Sequence, residues 1–226
     1  MCSGTTSFEL ARRVGNTGRV VGIDVSTPML GVGRQRLSSS DISNLTFENK
    51  DAAAHQFRIG EFDRVFSRFG VMFFVEPVSA FSNIRRSITG DGGLAFVCWE
   101  EATKSQWIDV PLGVVLEHAP KPPTADPYAP GPMAFADPDY VRTILAGAGF
   151  LNLEINELQT RIPIATDVPV FVQKLLEVGP VSRLLGDASD DAMRSIREVL
   201  RDAISGCQTE HGVMMGSRTW IVTATP

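Results

Sequence analysis

Gly18-Arg19-Val20-Val21-Gly22-Ile23-Asp24-Val25-Ser26-Thr27-Pro28 is the stretch that decides how this chain folds. Arg19 to Val25 is a short β-branched run of the kind buried on both faces of a parallel sheet. It carries a carboxylate near its end, and Ser26-Thr27-Pro28 then supplies a capping hydroxyl and a first-turn proline, predicting a helix from about Pro28 to Leu37. Upstream, Phe8, Leu10, Ala11 and Val14 recur at helical spacing until Gly15-Asn16-Thr17-Gly18 stops them. Downstream the alternation repeats. Leu45 to Glu48 and Phe62 to Ser67 read as strands. Pro77 opens a helix with Val78, Phe81, Ile84 and Ile88 on one face, Thr89 to Gly93 reads as a turn, and Leu94 to Trp99 as a buried strand. Strands separated by helix-length segments require an α/β fold, a mostly parallel sheet with helices on both faces.

The second half reads differently. A helix is expected over Trp107 to His118, then a proline-dense, extended segment from Pro120 to Pro138. Another helix follows through Leu145, a strand from Phe150 to Leu158, helices over Val168 to Leu185 and Asp190 to Ile204, and a closing strand over Thr219 to Ala224. No repeat or linker separates domains, so residues 1–226 read as one.

The 226 residues carry 21 basic and 26 acidic side chains, a net charge of -5, with 43% hydrophobic residues, the profile of an ordinary globular protein. Cys2, Cys98 and Cys207 are scattered without a Cys-x-x-Cys pair, which suits a reducing, cytoplasmic setting and offers no metal cluster. Negative charge and dispersed arginines argue against nucleic acid as a partner. No apolar run reaches the roughly 20 residues that cross a bilayer.

Ligands of open parallel sheets bind outside the carboxyl ends of the strands. Gly4 precedes the first helix, whose N–H groups can receive an anionic group. Asp24 ends its strand 20 residues after Gly4, the interval at which an acid meets a ribose. Asp51-Ala52 and Ser67-Arg68 follow the next two strands. Together they describe a nucleoside pocket. Gly4 and Asp51 also read as plain loop residues, and Ser67-Arg68 equally as a structural pair. Asp24 is the strongest, because an unpaired carboxylate beside a core is costly.

Gly4 to Ala11, Gly18 to Ser26 with Pro28-Met29-Leu30, Asp51-Ala52, Phe62 to Phe74 and Gly92-Gly93 together resemble class I S-adenosylmethionine-dependent methyltransferases, in the ubiquinone/menaquinone C-methyltransferase-like branch. The resemblance runs over residues 2–99 and is looser beyond. It implies a Rossmann-like sheet in the order 3-2-1-4-5-7-6 with the last strand antiparallel. It also implies a cofactor-binding half over 1–99 and a substrate cover with C-terminal strands over 100–226. By it, Asp24 would hold the ribose hydroxyls of S-adenosyl-L-methionine, Val25 and Met29 would pack near the adenine, Asp51 would accept from the adenine amine beside Ala52, and Ser67-Arg68 would line the methionine end.

The departure is at the front. Gly4 matches the last glycine of the family's glycine-rich loop, and Cys2 stands where the middle one belongs. The central first strand and its acidic residue have no counterpart, so a sheet folded this way leaves backbone groups unpaired at about 1–3 kcal/mol each. The expectation is a start codon some tens of residues upstream. The alternative is a true truncation, either inactive or completed by a strand from a partner chain in a homodimer.

Methyl transfer is an in-line displacement that needs alignment and dryness more than a nucleophile. If a general base is used, His118 and His55 are the candidates, each with a plain surface reading; Glu100 and Glu101 could face an acceptor or be solvated. Trp99, Trp107 and Phe135 suggest an apolar pocket or simply core. The expected function is methylation of a small apolar or aromatic acceptor. The alternatives are a nicotinamide (NAD)-dependent oxidoreductase, which shares the Gly4-to-Asp24 interval, and a catalytically inactive scaffold.

Overall fold

A computed structural model describes residues 4–118, 126–186 and 188–226. In chain order its elements are α1 (Thr5–Val14), β1 (Val20–Asp24), α2 (Thr27–Ser38), β2 (Leu45–Asn49), β3 (Phe62–Arg68), α3 (Pro77–Ser87), β4 (Ile88–Trp99), α4 (Gln106–Leu116), α5 (Pro138–Gly147), β5 (Leu151–Ala165), α6 (Val168–Glu177), α7 (Pro180–Leu185), α8 (Asp190–Ser205), β6 (Gln208–Thr209) and β7 (Gly212–Thr225). They form two compact units: Met1–Cys98 with Pro138–Ile155 and Ile221–Pro226, and Trp99–Asp137 with Asn156–Trp220.

In the first unit β1 and β2 pair in parallel, from Val20 opposite Leu45 to Asp24 opposite Asn49. Phe8, Ala11 and Leu45 are buried at the centre of a small core completed by Val20, Leu37, Ile42 and Phe47. Gly22 lets this core close: a Cβ there would stand 2.7 Å from the Phe47 ring and 3.0 Å from Ser7 Oγ. Asn44 fastens the turn between α1 and β1, its Nδ2 donating to the carbonyls of Ala11, Gly15 and Gly18 at 2.9, 2.8 and 3.2 Å. β3 pairs with β4 in parallel, Arg64 opposite Gly93 through Arg68 opposite Val97. The Phe81 ring lies 5.7, 5.5 and 6.4 Å from those of Phe74, Phe96 and Phe150, an aromatic focus between β4 and α3.

The strands form two sheets, β1-β2 and β3-β4-β7-β5, with β6 beside β7. β7 runs against its neighbours. Ala224 O lies near Gly93 while Arg218 O accepts from Glu100 N–H, and Thr225 meets Leu151 while Met214 meets Arg161. Within the larger sheet the order β3-β4-β7-β5, with β7 antiparallel, agrees with the 4-5-7-6 part of the order the family resemblance implies, and β1-β2 forms a sheet of its own. Among the described residues β1 pairs with β2 alone and β3 with β4 alone. Val21 and Ile23 are half-buried, and Phe66 of β3 is 40% exposed.

In the second unit α4, α6, α7 and α8 gather around Val115, Phe171, Val172, Leu200, Ile204, Val213 and Met215. α8 is amphipathic, burying Ile196, Leu200 and Ile204 at four-residue spacing. Asp167 and Ser189 cap α6 and α8 by accepting from the N–H groups of Val170 and Ala192.

Three local expectations are corrected. The turn over Thr89 to Gly93 is strand: β4 is unbroken from Ile88, because β3 pairs at both Phe62–Ile88 and Arg64–Gly93 and absorbs the extra residues as an irregularity. The helix over Val168 to Leu185 is two helices, divided where Gly179 takes a φ of 100° before Pro180. Where the proline-dense segment was expected to be extended, Asp126–Asp137 is a run of turns and bends. The first part of that segment, with Cys2 and Ser3, lies outside the described residues. Among those residues no helix is long and apolar enough to cross a membrane.

Candidate functional site

The carboxyl ends of β1 and β2 are tied into one ledge. Asn49 Nδ2 donates to the carbonyls of Asp24 and Val25, both at 3.0 Å, and Lys50 N–H donates to the Asp24 carbonyl at 3.2 Å. Asp24 is half-buried at the lip, and its Oδ1 accepts from Ser26 N–H at 2.8 Å. Among the described residues its Oδ2 has no partner. Ser26 also caps α2 by accepting from Met29 N–H at 3.4 Å, which seats Met29, half-buried, one turn from Asp24. Val25 is 68% exposed, an apolar side chain left open at the same ledge.

Asp51 follows directly. Its Oδ1 accepts from Ala53 N–H at 2.9 Å and its carbonyl from the N–H groups of Ala54 and His55 at 3.2 and 2.8 Å, a tight turn that fixes Ala52. From α3, Asn83 Nδ2 reaches the carbonyls of Ala52 and His55 at 3.1 and 2.8 Å and clamps this turn. Asp51 lines a cavity of about 270 Å³ with Ala53, Ala54, Phe74, Glu76 and Ala80, so the segment after β3 faces the end of β2.

Gly4 sits at the N-terminus of α1 in left-handed conformation, φ 80°. A Cβ there would meet the rings of Phe47 at 2.8 Å and Phe8 at 3.0 Å, so the packing alone already demands glycine. Because α1 ends where β1 begins and the two are of similar length, Gly4 stands at the same end of β1 as Asp24. Ser67 is half-buried at the end of β3 and Arg68 is exposed. Of these eight residues, Asp51 lines the cavity of about 270 Å³.

His55 belongs to a second cavity of about 250 Å³, with Arg19, Val21, Ile23, Glu48, Lys50, Arg58 and Phe62 among its walls. Its ring meets Phe57 edge-on at 4.8 Å, and a hydrogen bond from Lys50 holds the Glu48 carboxyl below its usual range. His118 is exposed just past α4 in the second unit. In that unit too, Glu101 is exposed and Phe135 is buried, while Glu100 is buried and bonded to Lys104, whose ammonium is held above its usual pKa by that bond. Sequence reading missed Asn49 and Asn83, the two amides that shape the ledge. An asparagine closing a strand was the available signal for the first; nothing local marks the second.

Residues 1–92 match the family described as "Methyltransferase domain". Over 102 residues the chain is 32% identical to a demethylmenaquinone methyltransferase of Staphylococcus saprophyticus, covering 44% of this chain and 42% of that protein. Over 93 residues it is 33% identical to a ubiquinone/menaquinone biosynthesis C-methyltransferase of Cellvibrio japonicus, covering 41% and 37%. The matches therefore span less than half the length of these curated relatives. In fold it is similar to a phosphoethanolamine N-methyltransferase of Haemonchus contortus solved with S-adenosylhomocysteine, at TM-score 0.57 and 18% identity, covering 99% of this chain and 47% of that one. Residues 1–92 thus match the methyltransferase domain family, and over less than half of its length the chain is similar to ubiquinone/menaquinone C-methyltransferases.

Proposed function

We propose that the chain is a methyltransferase that binds S-adenosylmethionine at the β1–β2 ledge and methylates a small, apolar or aromatic acceptor. The observation that carries this reading is that Asp24 and Asp51 stand at the carboxyl ends of the paired strands β1 and β2, where Asn49 bonds the Asp24 and Val25 carbonyls. The open oxygen of Asp24 suits ribose hydroxyls, exposed Val25 and half-buried Met29 suit an apolar ring, and Asp51 suits an exocyclic amine beside Ala52. Gly4, Ser67 and Arg68 complete the set. The bound cofactor supplies a methyl group on a sulfonium; the protein's own part is to hold and align it and to exclude water. His55 and His118 are candidates for proton acceptor only where the acceptor must lose a proton. The names of the two relatives favour a quinone-type ring as the acceptor.

Titration calorimetry with S-adenosylhomocysteine tests the reading. Asp24→Asn removes a charged acceptor worth about 1.5–3 kcal/mol, so affinity falls by roughly 10- to 100-fold. Unchanged affinity in the variant, or tight binding of NAD instead, refutes it. That among the described residues β1 pairs only with β2 and β3 only with β4 favours a second reading, a methyltransferase-like scaffold, which absence of any binding by the folded chain would select.

A further inference from the structure

We propose that Asn83 is a positioning residue that sets selectivity for a ligand base carrying an exocyclic amine, by holding the Asp51 turn against α3. Between the end of β2 at Asn49 and the start of β3 at Phe62 the chain forms neither helix nor strand. Such a loop is mobile unless something ties it down, and this one carries Asp51. The helix beside it is fixed, because α3 buries Ala80, Phe81, Ile84 and Ser87. Asn83 stands on the flank of that buried stripe, itself half-buried, and its Nδ2 donates to the carbonyls of Ala52 at 3.1 Å and His55 at 2.8 Å. An amide nitrogen has two hydrogens, so both are committed to the turn.

The consequence reaches the carboxylate through the turn. Asp51 Oδ1 accepts from Ala53 N–H at 2.9 Å, and the Asp51 carbonyl accepts from the N–H groups of Ala54 and His55 at 3.2 and 2.8 Å, so Asp51 to His55 moves as one piece. Asn83 grips this piece at two separate carbonyls, which fixes its rotation as well as its distance from the helix. A single bond would leave it free to swing. The cavity of about 270 Å³ lies at the same junction: Asp51, Ala53 and Ala54 come from the turn, Glu76 and Ala80 from the approach to α3 and its first turn. Ala80 and Asn83 are three apart on that helix and so neighbours on its surface, which puts the clamp beside the cavity and lets it set the separation of the two sides.

Held in place, the carboxylate selects by atom type. When ionised it only accepts, so an exocyclic amine donates to it, while a ring carbonyl in the same position turns lone pairs toward it and is repelled. A charge-assisted bond of this kind separates the two by about 10- to 100-fold in affinity. A displacement of about 1 Å at a positioned group is enough to remove most of such an advantage. Asn83 therefore acts through the turn and not on the ligand. The inference rests on the reading of the ledge as a cofactor site with Asp51 at the adenine amine, and adds the side chain that keeps Asp51 at its station.

The probes are S-adenosylhomocysteine and S-inosylhomocysteine, which differ by an amine against a carbonyl on the purine, titrated into the full chain by calorimetry. The unmodified chain is expected to prefer the adenosyl compound by about 10-fold or more. Asn83→Ala should lower that ratio to under about threefold, and Asn83→Gln, which keeps a donor amide, should recover part of it. A role confined to stability lowers the melting temperature of Asn83→Ala and leaves the ratio unchanged, and that result overturns the proposal. Should Asn83→Ala not fold, NMR of the unmodified chain decides: the side-chain amide resonances of Asn83 should shift more with the adenosyl than with the inosyl compound, and equal shifts overturn it. Equal binding of the two compounds removes Asp51 from the site, and this proposal with it, while cofactor binding at Asp24 stands. Binding of neither overturns the methyltransferase reading itself together with this one.

Discussion

Replacing Gly22 by alanine tests how the ledge is held. The new methyl would lie 2.7 and 2.8 Å from two carbons of the Phe47 ring and 3.0 Å from Ser7 Oγ, inside van der Waals contact on two sides. Phe47 cannot simply swing away: its ring stacks 6.1 Å from buried Phe8 and borders Gly4 and Gly33 as well. Overpacking of this kind costs about 1–3 kcal/mol. Removing a glycine from a strand returns about 0.4–1 kcal/mol through the unfolded chain, leaving a net loss of about 1–2 kcal/mol. For a chain of this length that lowers Tm by about 2–8 °C. Thermal denaturation followed by circular dichroism measures it, and Gly22→Ala combined with Phe47→Leu supplies the control, because the smaller side chain gives the methyl room. The double variant should recover part of the loss relative to Phe47→Leu alone. A Tm for Gly22→Ala equal to or above that of the parent would refute the argument, as would strict additivity in the double variant.

Three further outcomes follow from the same contacts. Asn44→Ala strands the carbonyls of Ala11, Gly15 and Gly18, and should cost about 1–3 kcal/mol in chemical denaturation while leaving the β3–β4 pairing intact. Burial pushes the Cys98 thiol up to about 12. The unfolded chain sheds that proton near the ordinary value of roughly 8.5 and the folded chain does not, so above that pH the unfolded state binds fewer protons and stability falls by up to about 1.4 kcal/mol per unit until about 12. The Cys98→Ser variant should lack that decline, and iodoacetamide at pH 8 should label Cys98 only under denaturant. Hydrogen exchange should be faster in β1 than in β4; equal protection would mean that the free edge of β1 is covered.

How much of this was legible in the sequence follows from which interactions are local. The Ser26-Thr27-Pro28 cap and the β-branched run before it are decided by neighbouring residues, and both elements fall within a residue of where they were expected. Asp24 and Asp51 were legible for the same reason, each standing where a strand ends. The length of β4 was not, because Thr89 to Gly93 reads locally as a turn and is drawn into strand by β3, a partner more than 20 residues away. Val168 to Leu185 kept its helical period while Gly179 broke its axis. Asn83 was invisible, since its worth lies in carbonyls 28 and 31 residues earlier.

The two pieces of the sheet are held by different means, and this bears on the candidate site. A two-stranded sheet is marginal by itself. β1–β2 persists because α1 and α2 cover one face with Phe8, Ala11 and Leu30 buried, and because Asn44 and Asn49 knot its two ends. β3 is secured through its pairing with β4, and β4 through the aromatic focus around Phe81. Neither device depends on a strand between β1 and β3. What joins the pieces at the carboxyl end is the Asn83 clamp on the turn that carries Asp51. Both carboxylates proposed to bind the cofactor therefore sit on the piece with the open edge, and their spacing is set by side-chain amides rather than by a continuous ladder. A strand paired with both edges would stiffen that spacing without touching either carboxylate. By linkage, anything that orders this end should tighten cofactor binding, and bound cofactor should in turn protect β1, which makes the β1 amides the reporters in which order at the free edge and occupancy of the ledge can be read together.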